Sequence, residues 1–433
     1  QAEDGIRDSV ASRGLGDVYK RQASMSNVLT MILAGGEGSR LKPLTAVRTK
    51  PAVPFGGNYR IIDFVLSNFV NSGLLKIFVL TQFKSHSLMQ HLREGWRMPS
   101  GIAKQFIDPV PAQMRTGKKW YAGTADAIYQ NMNLIEDEDP DQICIFGADH
   151  IYRMDIRQMM RFHLKRKAVL TVAAIPVPVM DAGKFGIIEV DEEWRITGFV
   201  EKPKKAPRTI PGNPDYVLAS MGNYIFERKQ LVEQLRKDSR NKKSAHDFGQ
   251  NILPEMYSGG EVYVYDFSRN YIPGVKEMEK GYWKDVGTLD TYWETNMDLV
   301  GIDPQFNLYN RNWPVLTYNP PLPPSKFVHF SEHRTGHAIN SMIGTGTIIS
   351  GSHVENSVVG YSARIHSYAH VDQSVIMSYV EIGRGAKVRK AIIDKHVNIA
   401  PGAEIGYDLK KDRKKFKVTE SGIVVIPKGA KVV

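Results

Sequence analysis

The sequence predicts an α/β domain with a mostly parallel sheet, followed by a separate parallel β-helix. Apolar strand-like runs alternate with amphipathic segments from about residue 27 to residue 300, a pattern typical of α/β layers. A segment rich in Pro and Asn follows, and the last hundred residues carry a hydrophobic repeat of about six residues. The 433 residues also exceed the roughly 250–300 that one core supports, so at least two domains are expected.

The first domain is expected to span residues 27–302. Its candidate strands are Val28–Leu33, Ile77–Thr81, Ile143–Gly147, Val169–Ile175 and Val262–Phe267, and its candidate helices include Ile62–Ser72 and Thr124–Ile135. Residues 303–335 contain "DPQFNLYNRNWPVLTYNPPLPPS" and are interpreted as a linker. Residues 1–26 lack the apolar run of a signal peptide, and we interpret them as an extraneous leader, disordered or a cloning or library scar.

Residues 336–433 are expected to form the β-helix, because their aliphatic side chains keep a 17-residue register. The three columns are Val354, Val371, Val388 and Ile405; Val359, Ile376 and Ile393; and Ile348, Ile365, Ile382 and Ile399. Neither a helix nor an isolated strand has this period, whereas three short strands per turn of a triangular coil produce it. An ordinary β-sandwich is the alternative, and it would not keep one register through three columns.

Composition excludes several classes of protein. A hydrophobic fraction of 42% and a charged fraction of 24% are ordinary for a globular protein and argue against disorder. The longest apolar stretches, such as 168–178, fall short of the about 20 residues that cross a bilayer, so no membrane span is expected. The net charge of +11 is spread along the chain without a nucleic-acid motif, which favours small anionic ligands over nucleic acid. The single cysteine, Cys144, fits a reducing cytoplasm.

A glycine cluster follows the first candidate strand in "LAGGEGSRLKPLT". It is not a dinucleotide fingerprint, because Leu41 stands where the third glycine belongs. It is not a P-loop either, because Lys42 is followed by proline rather than Ser or Thr. The glycines and the arginine that remain are Gly35, Gly36, Gly38 and Arg40. Such a loop can bring backbone N–H groups and a guanidinium to phosphate oxygens, although a plain turn explains a lone glycine cluster equally well.

The longer block "LAGGEGSRLKPLTAVRTKPAVPFGGNYRIIDFVLSN" resembles the signature of sugar-nucleotide pyrophosphorylases, and this version is similar to the bacterial glucose-1-phosphate adenylyltransferases. Further motifs in the family's order are "WYAGTADAIYQN", "FGADHIYRMD", "FVEKP", "LASMGNYIF", "HDFGQNILP" and "YWKDVGTLDTYWE". The resemblance covers the chain from Val28 to its end. It implies AMP transfer from ATP to α-D-glucose 1-phosphate for glycogen synthesis, with Mg²⁺, in a cytoplasmic homotetramer. It also implies a Rossmann-like nucleotidyltransferase domain and a left-handed β-helix.

The same resemblance assigns the site residues. Asp149 and Asp285 are the implied Mg²⁺ ligands, and Asp149 also follows an apolar run, at the strand end where α/β sheets bind ligands. The implied catalytic residues are Arg40, Asp149 and Lys202; the implied nucleotide contacts are Gly35, Gly36, Gly38, Lys50, Tyr121, Gly123 and Thr124; the implied sugar-phosphate contacts are Gly186, Glu201, Lys202 and Ser220. The nucleophile is a phosphate monoester whose second pKa is about 6, so no protein base or nucleophile is required.

Members of the family respond to anionic metabolites, with sugar phosphates or pyruvate as activators and AMP or phosphate as inhibitors. We assign Arg48 and Arg60 to such an effector site, where Lys50 is also near in sequence. Enterobacterial-type members carry a lysine at the position of Val47. Because valine cannot contact a phosphate by charge, the sequence argues against activation by fructose 1,6-bisphosphate.

Three other functions are compatible with parts of the sequence. The chain could be a non-catalytic regulatory subunit of a hetero-oligomer, although Arg40, Asp149, Lys202 and Asp285 are all present. It could use UTP or dTTP, because no residue reads adenine by itself. It could also be a bifunctional uridylyltransferase–acyltransferase, since β-helices of this kind transfer acetyl groups. The candidate bases for that third reaction are His353, His366, His370 and His396.

Overall fold

The computed structural model describes residues 27–97, 105–113, 120–205, 207–331 and 334–433. The interpretation of residues 1–26 as a leader falls outside these residues. The strands of the first domain are β1 Val28–Leu33, β2 Pro54–Phe55, β3 Tyr59–Arg60, β4 Lys76–Thr81, β5 Phe106–Pro111, β6 Gln142–Gly147, β7 His150–Tyr152, β8 Leu170–Pro178, β9 Gly186–Val190, β10 Ile196–Glu201, β11 Tyr216–Glu227, β12 Val262–Asp266 and β13 Trp283–Asp285. Its helices are α1 Ile61–Asn71, α2 His86–Gly95, α3 Thr124–Tyr129, α4 Met132–Glu138, α5 Ile156–Arg166, α6 Arg228–Ser239, α7 Leu253–Tyr257 and α8 Leu289–Leu299.

A nine-stranded sheet forms the centre of this domain. Strands β5, β4, β1 and β6 are neighbours in that order and run parallel, with Ile32 of β1 between Val79 of β4 and Phe146 of β6. Strands β1, β4 and β6 are buried on both faces, as expected for a parallel sheet covered by helices, whereas the edge strand β5 is partly exposed. The long strand β11 runs antiparallel to β6 and β8 and extends the sheet, while β12 runs parallel to β8. The carboxyl ends of β1 and β6 therefore lie side by side.

The five predicted strands are confirmed, with bounds that differ by at most three residues. The predicted helix Thr124–Ile135 is instead two helices, α3 and α4. The break falls at Asn131, whose side-chain amide donates to the Ala127 carbonyl at 2.8 Å and to the Tyr121 hydroxyl at 2.9 Å. An Asn side chain that bonds to the backbone in this way competes with continuation of a helix.

Three sheets of seven, five and six strands form the predicted β-helix. Its strands are β14 Lys326–Ser331, β15 Arg334–Thr335, β16 His337–Ile339, β17 Met342–Ile343, β18 Ile348–Ser350, β19 His353–Glu355, β20 Val358–Val359, β21 Arg364–Ile365, β22 His370–Asp372, β23 Val375–Ile376, β24 Glu381–Ile382, β25 Lys387–Arg389, β26 Ala391–Ile393, β27 Asn398–Ile399, β28 Glu404–Ile405, β29 Lys417–Val418, β30 Val424–Ile426 and β31 Lys431–Val432. The sheets are parallel except that β15 runs antiparallel to β14 and β29 antiparallel to β30. A short helix, α9 Leu409–Arg413, interrupts the coils before β29.

The 17-residue register is confirmed in two of the three columns. Val354 pairs with Val371 and Val371 with Val388, and the Val359 column pairs in the same way. The third column is wrong at its first member, because Ile349 rather than Ile348 lies opposite Ile365 and is fully buried. Successive strand residues point to opposite faces, so a one-residue offset in the first coil exchanges the core residue for its neighbour.

The two domains share a hydrophobic core. The apolar cluster that contains Phe55 and Tyr292 also contains Val375, Ile392 and Val425 of the β-helix. A hydrogen bond of 2.8 Å from the Trp293 indole to a β-helix carbonyl adds to this contact. No helix in the described part of the chain is long and apolar enough to span a membrane.

Candidate active site

A cleft of about 590 Å³ opens at the carboxyl ends of β1, β4 and β6. Motif residues that line it are Gly35, Gly36, Gly38, Arg40, Lys50, Tyr121, Gly123, Thr124 and Asp149. The order of the strands explains the position, because ligands of α/β sheets bind in the crevice beyond the carboxyl ends of the parallel strands. The structure thus brings together, in one cleft, residues that are more than a hundred positions apart in the chain.

The glycine loop leaves β1 and turns back along the cleft through the short helical turn Ser39–Leu41. Gly38 adopts a left-handed φ of 63°, and a Cβ there would lie 3.0 Å from the Lys50 side chain and 3.1 Å from that of Thr45. The Thr45 hydroxyl donates to the Gly38 carbonyl at 2.8 Å and holds the turn. A residue with a side chain would be strained and crowded at this position, so the loop requires glycine.

Two carboxylates and one ammonium group occupy the floor of the cleft. The buried Lys50 Nζ donates to Asp149 Oδ2 at 3.0 Å and to Asp285 Oδ1 at 2.8 Å. Burial lowers the pKa of Lys50, and the two carboxylates raise it by more, so that it lies above its ordinary value. Arg40 reaches over the same group, with its Nη2 3.7 Å from Asp285 Oδ2, and its side chain is 67% exposed. The sequence predicts a phosphate contact for Lys50, and its contact with both acids is an additional finding.

Asp285 reaches Asp149 through a strand pair. Strand β13 runs antiparallel to β7 and places Asp285 opposite His150, the residue after Asp149. Ligand atoms of these three residues lie within 4.8 Å of one another, a spacing that a metal ion can bridge. Burial raises the pKa of Asp149, and the neighbouring His150 and Lys50 outweigh this and hold it well below its usual range. Two carboxylates beside an open cleft suit Mg²⁺, which takes one or two protein carboxylates and completes its shell with phosphates and water.

Sequence reasoning missed two residues of this group. His150 is 3.0 Å from Asp149 through its Nδ1, and the only signal for it is its place beside Asp149 in "FGADHIY". Gly287 is the second, because a Cβ there would lie 2.8 Å from Arg40 Nη2 and from both oxygens of Asp285. Any side chain at 287 would thus displace Arg40 or Asp285.

The segment "WYAGTADA" forms another wall of the cleft. Its residue Gly123 packs so closely against the backbone of 245–246 that a Cβ would lie 2.3 Å from two carbonyl oxygens. Thr124 donates to Asp247 Oδ2 at 3.0 Å, and Tyr121 receives support through its backbone N–H, which donates to Gln82 Oε1 at 2.8 Å. Gln82 and Asp247 also line the cleft; Asp247 belongs to the "HDFGQNILP" motif, whereas Gln82 belongs to none of the motifs quoted above.

The predicted sugar-phosphate residues lie on the β9–β11 side of the domain. Gly186 is packed beneath Glu201, because a Cβ on it would lie 2.8 Å from Glu201 Oε2. Lys202 has a left-handed φ of 44°, and its Nζ lies 3.4 Å from Glu201 Oε1. Ser220 precedes Met221 and Gly222, which line the cleft. Among the described residues, Lys202 pairs with Glu201 and forms no ion pair with Asp149 or Asp285, whose cationic partners are Lys50 and Arg40.

A second cationic cluster lies between the domains, behind the glycine loop. Arg48 is buried, and its Nη1 lies 2.9 Å and 3.0 Å from the oxygens of Asp394, while its buried Nη2 has no hydrogen-bond partner among the described residues. Burial, Arg60 and Arg48 lower the pKa of Lys395 to about 7, against the opposing charge of Asp394. Arg60 donates to the Ser87 carbonyl at 2.6 Å. The Val47 side chain is exposed, so it adds no charge to this cluster.

Two family models match the chain. The model described as nucleotidyl transferase matches residues 29–301, and the model described as GlmU-like, C-terminal hexapeptide, matches residues 323–426. The second match and the parallel strands of the solenoid are consistent with a left-handed β-helix.

Several curated relatives match nearly the full chain, and each of the following three covers 94% of its length. A protein of Vibrio cholerae named glucose-1-phosphate adenylyltransferase 1 is 60% identical and is covered completely. A glucose-1-phosphate adenylyltransferase of Anaeromyxobacter dehalogenans is 59% identical and is covered over 99% of its length. A protein of Vibrio parahaemolyticus, also named glucose-1-phosphate adenylyltransferase 1, is 55% identical and is covered completely.

Proposed function

The chain belongs to the glucose-1-phosphate adenylyltransferase family, and from this premise we propose that it makes ADP-glucose for glycogen synthesis with Mg²⁺ held at Asp149 and Asp285. The resemblance and the enzyme class predicted from the sequence are confirmed by these relatives. The reaction transfers AMP from ATP to α-D-glucose 1-phosphate and releases pyrophosphate. The observation that carries the proposal is the pair of carboxylates beneath a glycine loop that also presents Arg40.

The reaction requires the protein to position the substrates and to neutralise negative charge, and it does not require a general base. The attacking phosphate oxygen of glucose 1-phosphate is already anionic near neutral pH, because the second pKa of a phosphate monoester is about 6. Bound Mg²⁺ would supply charge neutralisation for the phosphates. Arg40 and Lys50, which line the cleft, would add fixed positive charge beside the triphosphate, and the backbone of Gly35, Gly36 and Gly38 would offer N–H groups to its oxygens.

The remaining residues of the site bind the two substrates. We assign the nucleoside to Tyr121, Gly123 and Thr124, whose wall is held by Gln82 and Asp247. Glucose 1-phosphate is assigned to the opposite side of the cleft. The residues of that side are Gly186, Glu201, Lys202 and Ser220. Here the Lys202 ammonium pairs with the sugar phosphate and the Glu201 carboxylate accepts from sugar hydroxyls.

A nucleotide panel tests this function. Purified protein is given glucose 1-phosphate, Mg²⁺ and each of the four NTPs, and pyrophosphate release is measured. We expect ATP to give the highest kcat/KM and chelation of Mg²⁺ to abolish release. Preference for UTP or dTTP would instead support a sugar-1-phosphate nucleotidyltransferase that uses that nucleotide. A chain that is inactive alone and active only with a partner chain would support the regulatory-subunit hypothesis.

We also propose that the cluster between the domains binds an anionic effector. Burial, Arg60, Arg48 and Lys428 lower the pKa of Lys395, and Asp394 opposes them. Three cations and one carboxylate thus surround Lys395, while Asp63 and Glu94 act on Arg60. The buried Nη2 of Arg48, which has no hydrogen-bond partner within the described part of the chain, offers a donor for a phosphate or carboxylate oxygen. Sugar phosphates or pyruvate as activators and AMP or phosphate as inhibitors fit this chemistry.

The charge of Lys395 makes the effector site pH-dependent. Since its pKa is about 7 in the folded chain, the ammonium form grows as pH falls through 7, and an anion stabilises that form. Sulfate is the suitable probe, because its own charge is constant in this range. We expect sulfate to bind several-fold more tightly at pH 6.5 than at pH 8.5. Calorimetric titration at both pH values measures this.

The matched variants separate Lys395 from its neighbours. Lys395→Met should remove most of the pH dependence, whereas Lys387→Met, on an exposed lysine of the same β-helix paired with Glu404, should keep it. Other groups near Lys395 include His396, Lys428 and Tyr361. An unchanged pH dependence in Lys395→Met would move the effect to one of those groups and refute the assignment.

Three broader features remain proposals. We propose a homotetramer, which is supported by exposed apolar side chains on the first coil, Phe327 and Ile339. A cytoplasmic location is supported by the single buried cysteine, Cys144. The sequence predicts residues 27–302 for catalysis, 303–335 for the linker and 336–433 for the β-helix; because β14 Lys326–Ser331 already pairs with β18 of the β-helix, we propose that the linker ends before Lys326.

A further inference from the structure

Three histidines form a column on the outer face of the five-stranded sheet of the β-helix. His337, His353 and His370 occupy one register position on the successive strands β16, β19 and β22. Their ring centroids are 4.2 Å and 5.0 Å apart. The neighbouring column of the same sheet contains Glu355 and Asp372. Three imidazoles and two carboxylates are thereby placed next to each other, far in sequence from the residues of the active site.

The geometry of three of these side chains resembles part of a metal coordination shell. His353 Nε2 lies 3.3 Å from Glu355 Oε2, and His370 Nε2 lies 3.1 Å from Glu355 Oε1. A tetrahedral zinc site with metal–ligand distances of about 2.0–2.1 Å has ligand–ligand edges of about 3.3 Å. The three ligand atoms lie within 4.8 Å of one another, so one ion can reach all of them after small rotations.

The side chains are accessible and carry suitable charge. His353 is 33% exposed, His370 38% and Glu355 32%, so an ion can enter from solvent. Hydrogen bonds from His353 and His370 outweigh partial burial and hold the pKa of Glu355 below its ordinary value, so the carboxylate is ionised. Two imidazoles and one carboxylate are donors that suit zinc, copper or nickel better than Mg²⁺, which prefers oxygen alone.

We propose that His353, Glu355 and His370 bind a divalent transition-metal ion of the zinc class on the outside of the β-helix. The ion links β19 to β22 and so joins two successive coils, while water or His337 from the preceding coil supplies a fourth ligand. Asp372 lies opposite Glu355, where it accepts from the Asn356 amide at 3.3 Å and is 3.8 Å from Arg389 Nε, so its charge is shared with that guanidinium. The site is separate from both the catalytic carboxylates and the effector cluster.

A zinc titration of the full, untagged chain tests the proposal. Zn²⁺ binding is measured by calorimetry with saturating Mg²⁺, and the number of sites per chain is compared between the wild type and His370→Ala. We expect the variant to lose one zinc equivalent, or to bind it at least about tenfold more weakly, because even the outer partners of metal ligands contribute about 10–100-fold to affinity. His353→Ala and the isosteric Glu355→Gln should behave alike.

His366→Ala is the matched control. His366 is an exposed histidine of the same β-helix with one carboxylate partner, Glu381, at 2.7 Å, and it lacks a second imidazole. Its replacement should leave the number of zinc sites and their affinity unchanged. The proposal would be overturned if His370→Ala bound as many zinc ions per chain as the wild type with the same affinity. It would also be overturned if His366→Ala lost zinc binding to the same extent as His370→Ala.

Two further measurements distinguish binding from a structural effect of the substitutions. Co²⁺ should give the visible absorption of a low-coordinate site in the wild type and not in His370→Ala. Zinc should also raise the Tm of the wild type, since an ion that binds only the folded state stabilises it by mass action. The variants should have the wild-type Tm without metal and should not respond to zinc. If zinc raised the Tm of Glu355→Gln and of His370→Ala as much as it raises the Tm of the wild type, the proposed site would be contradicted.

Discussion

Replacing Asp149 by Asn is expected to lower the turnover of ADP-glucose formation by about 10²–10³-fold while leaving the fold intact, since a preorganised charge in an active site contributes on this scale. The substitution keeps the size of the side chain and removes the negative charge that faces Lys50 at 3.0 Å and that would hold Mg²⁺. Pyrophosphate release under saturating Mg²⁺ and both substrates measures the effect, and the Tm reports on the fold.

Asp303→Asn is the control for the loss of an acidic group. Asp303 is an exposed acid that pairs with Lys276 away from the cleft, so its replacement should leave turnover near the wild-type value. Near-wild-type turnover in Asp149→Asn at saturating Mg²⁺ would remove Asp149 from the proposed metal site. A variant that loses both activity and Tm would instead assign it a structural role.

The two proposed metal ligands differ in how far the sequence could predict them. Asp149 follows β6, and the apolar run before it already places it at the ligand-binding edge of the sheet. Asp285 carries no such signal, because it reaches the site through pairing of two three-residue strands, β13 and β7, that are more than a hundred residues apart. Only the resemblance of "YWKDVGT" to a family motif indicated it. Periodicity cannot find contacts of this kind, since they are determined by tertiary packing.

The β-helix shows the same division between local and tertiary information. Its 17-residue register predicts which strands pair, because each coil repeats the same short-range pattern. The exchange of Ile348 for Ile349 in the first coil and the helix α9 before β29 interrupt the repeat, so the pattern does not reveal them. Lys50 in the active site shows the same limit of sequence analysis. The sequence predicts a phosphate contact for it, but only the fold places its ammonium group between two carboxylates.

That position of Lys50 leads to a prediction with two opposite effects. Its Nζ lies 2.8 Å from Asp285 and 3.0 Å from Asp149, so it neutralises the same oxygens that would hold Mg²⁺. Lys50→Met should therefore raise the affinity of the nucleotide-free enzyme for Mg²⁺ by several-fold or more. The same variant should lower turnover by about 10²-fold, because the triphosphate loses a fixed cation in the transition state. Binding of Mn²⁺ as a spectroscopic substitute measures the first effect and pyrophosphate release the second.

Stability provides a third readout for the same variant. Without Lys50 the two carboxylates lose the ammonium between them and keep the exposed Arg40, 3.7 Å from Asp285, as a cationic neighbour, so their repulsion should lower the Tm in the presence of a chelator. Added Mg²⁺ should restore much of that loss, because the ion takes over the neutralising role of the ammonium. Lys42→Met is the matched control, since Lys42 belongs to the same loop but pairs with exposed Glu37 at 3.1 Å. If Lys50→Met bound Mg²⁺ no better than Lys42→Met, the ammonium would not compete with the metal, and Lys50 would act on the phosphates alone.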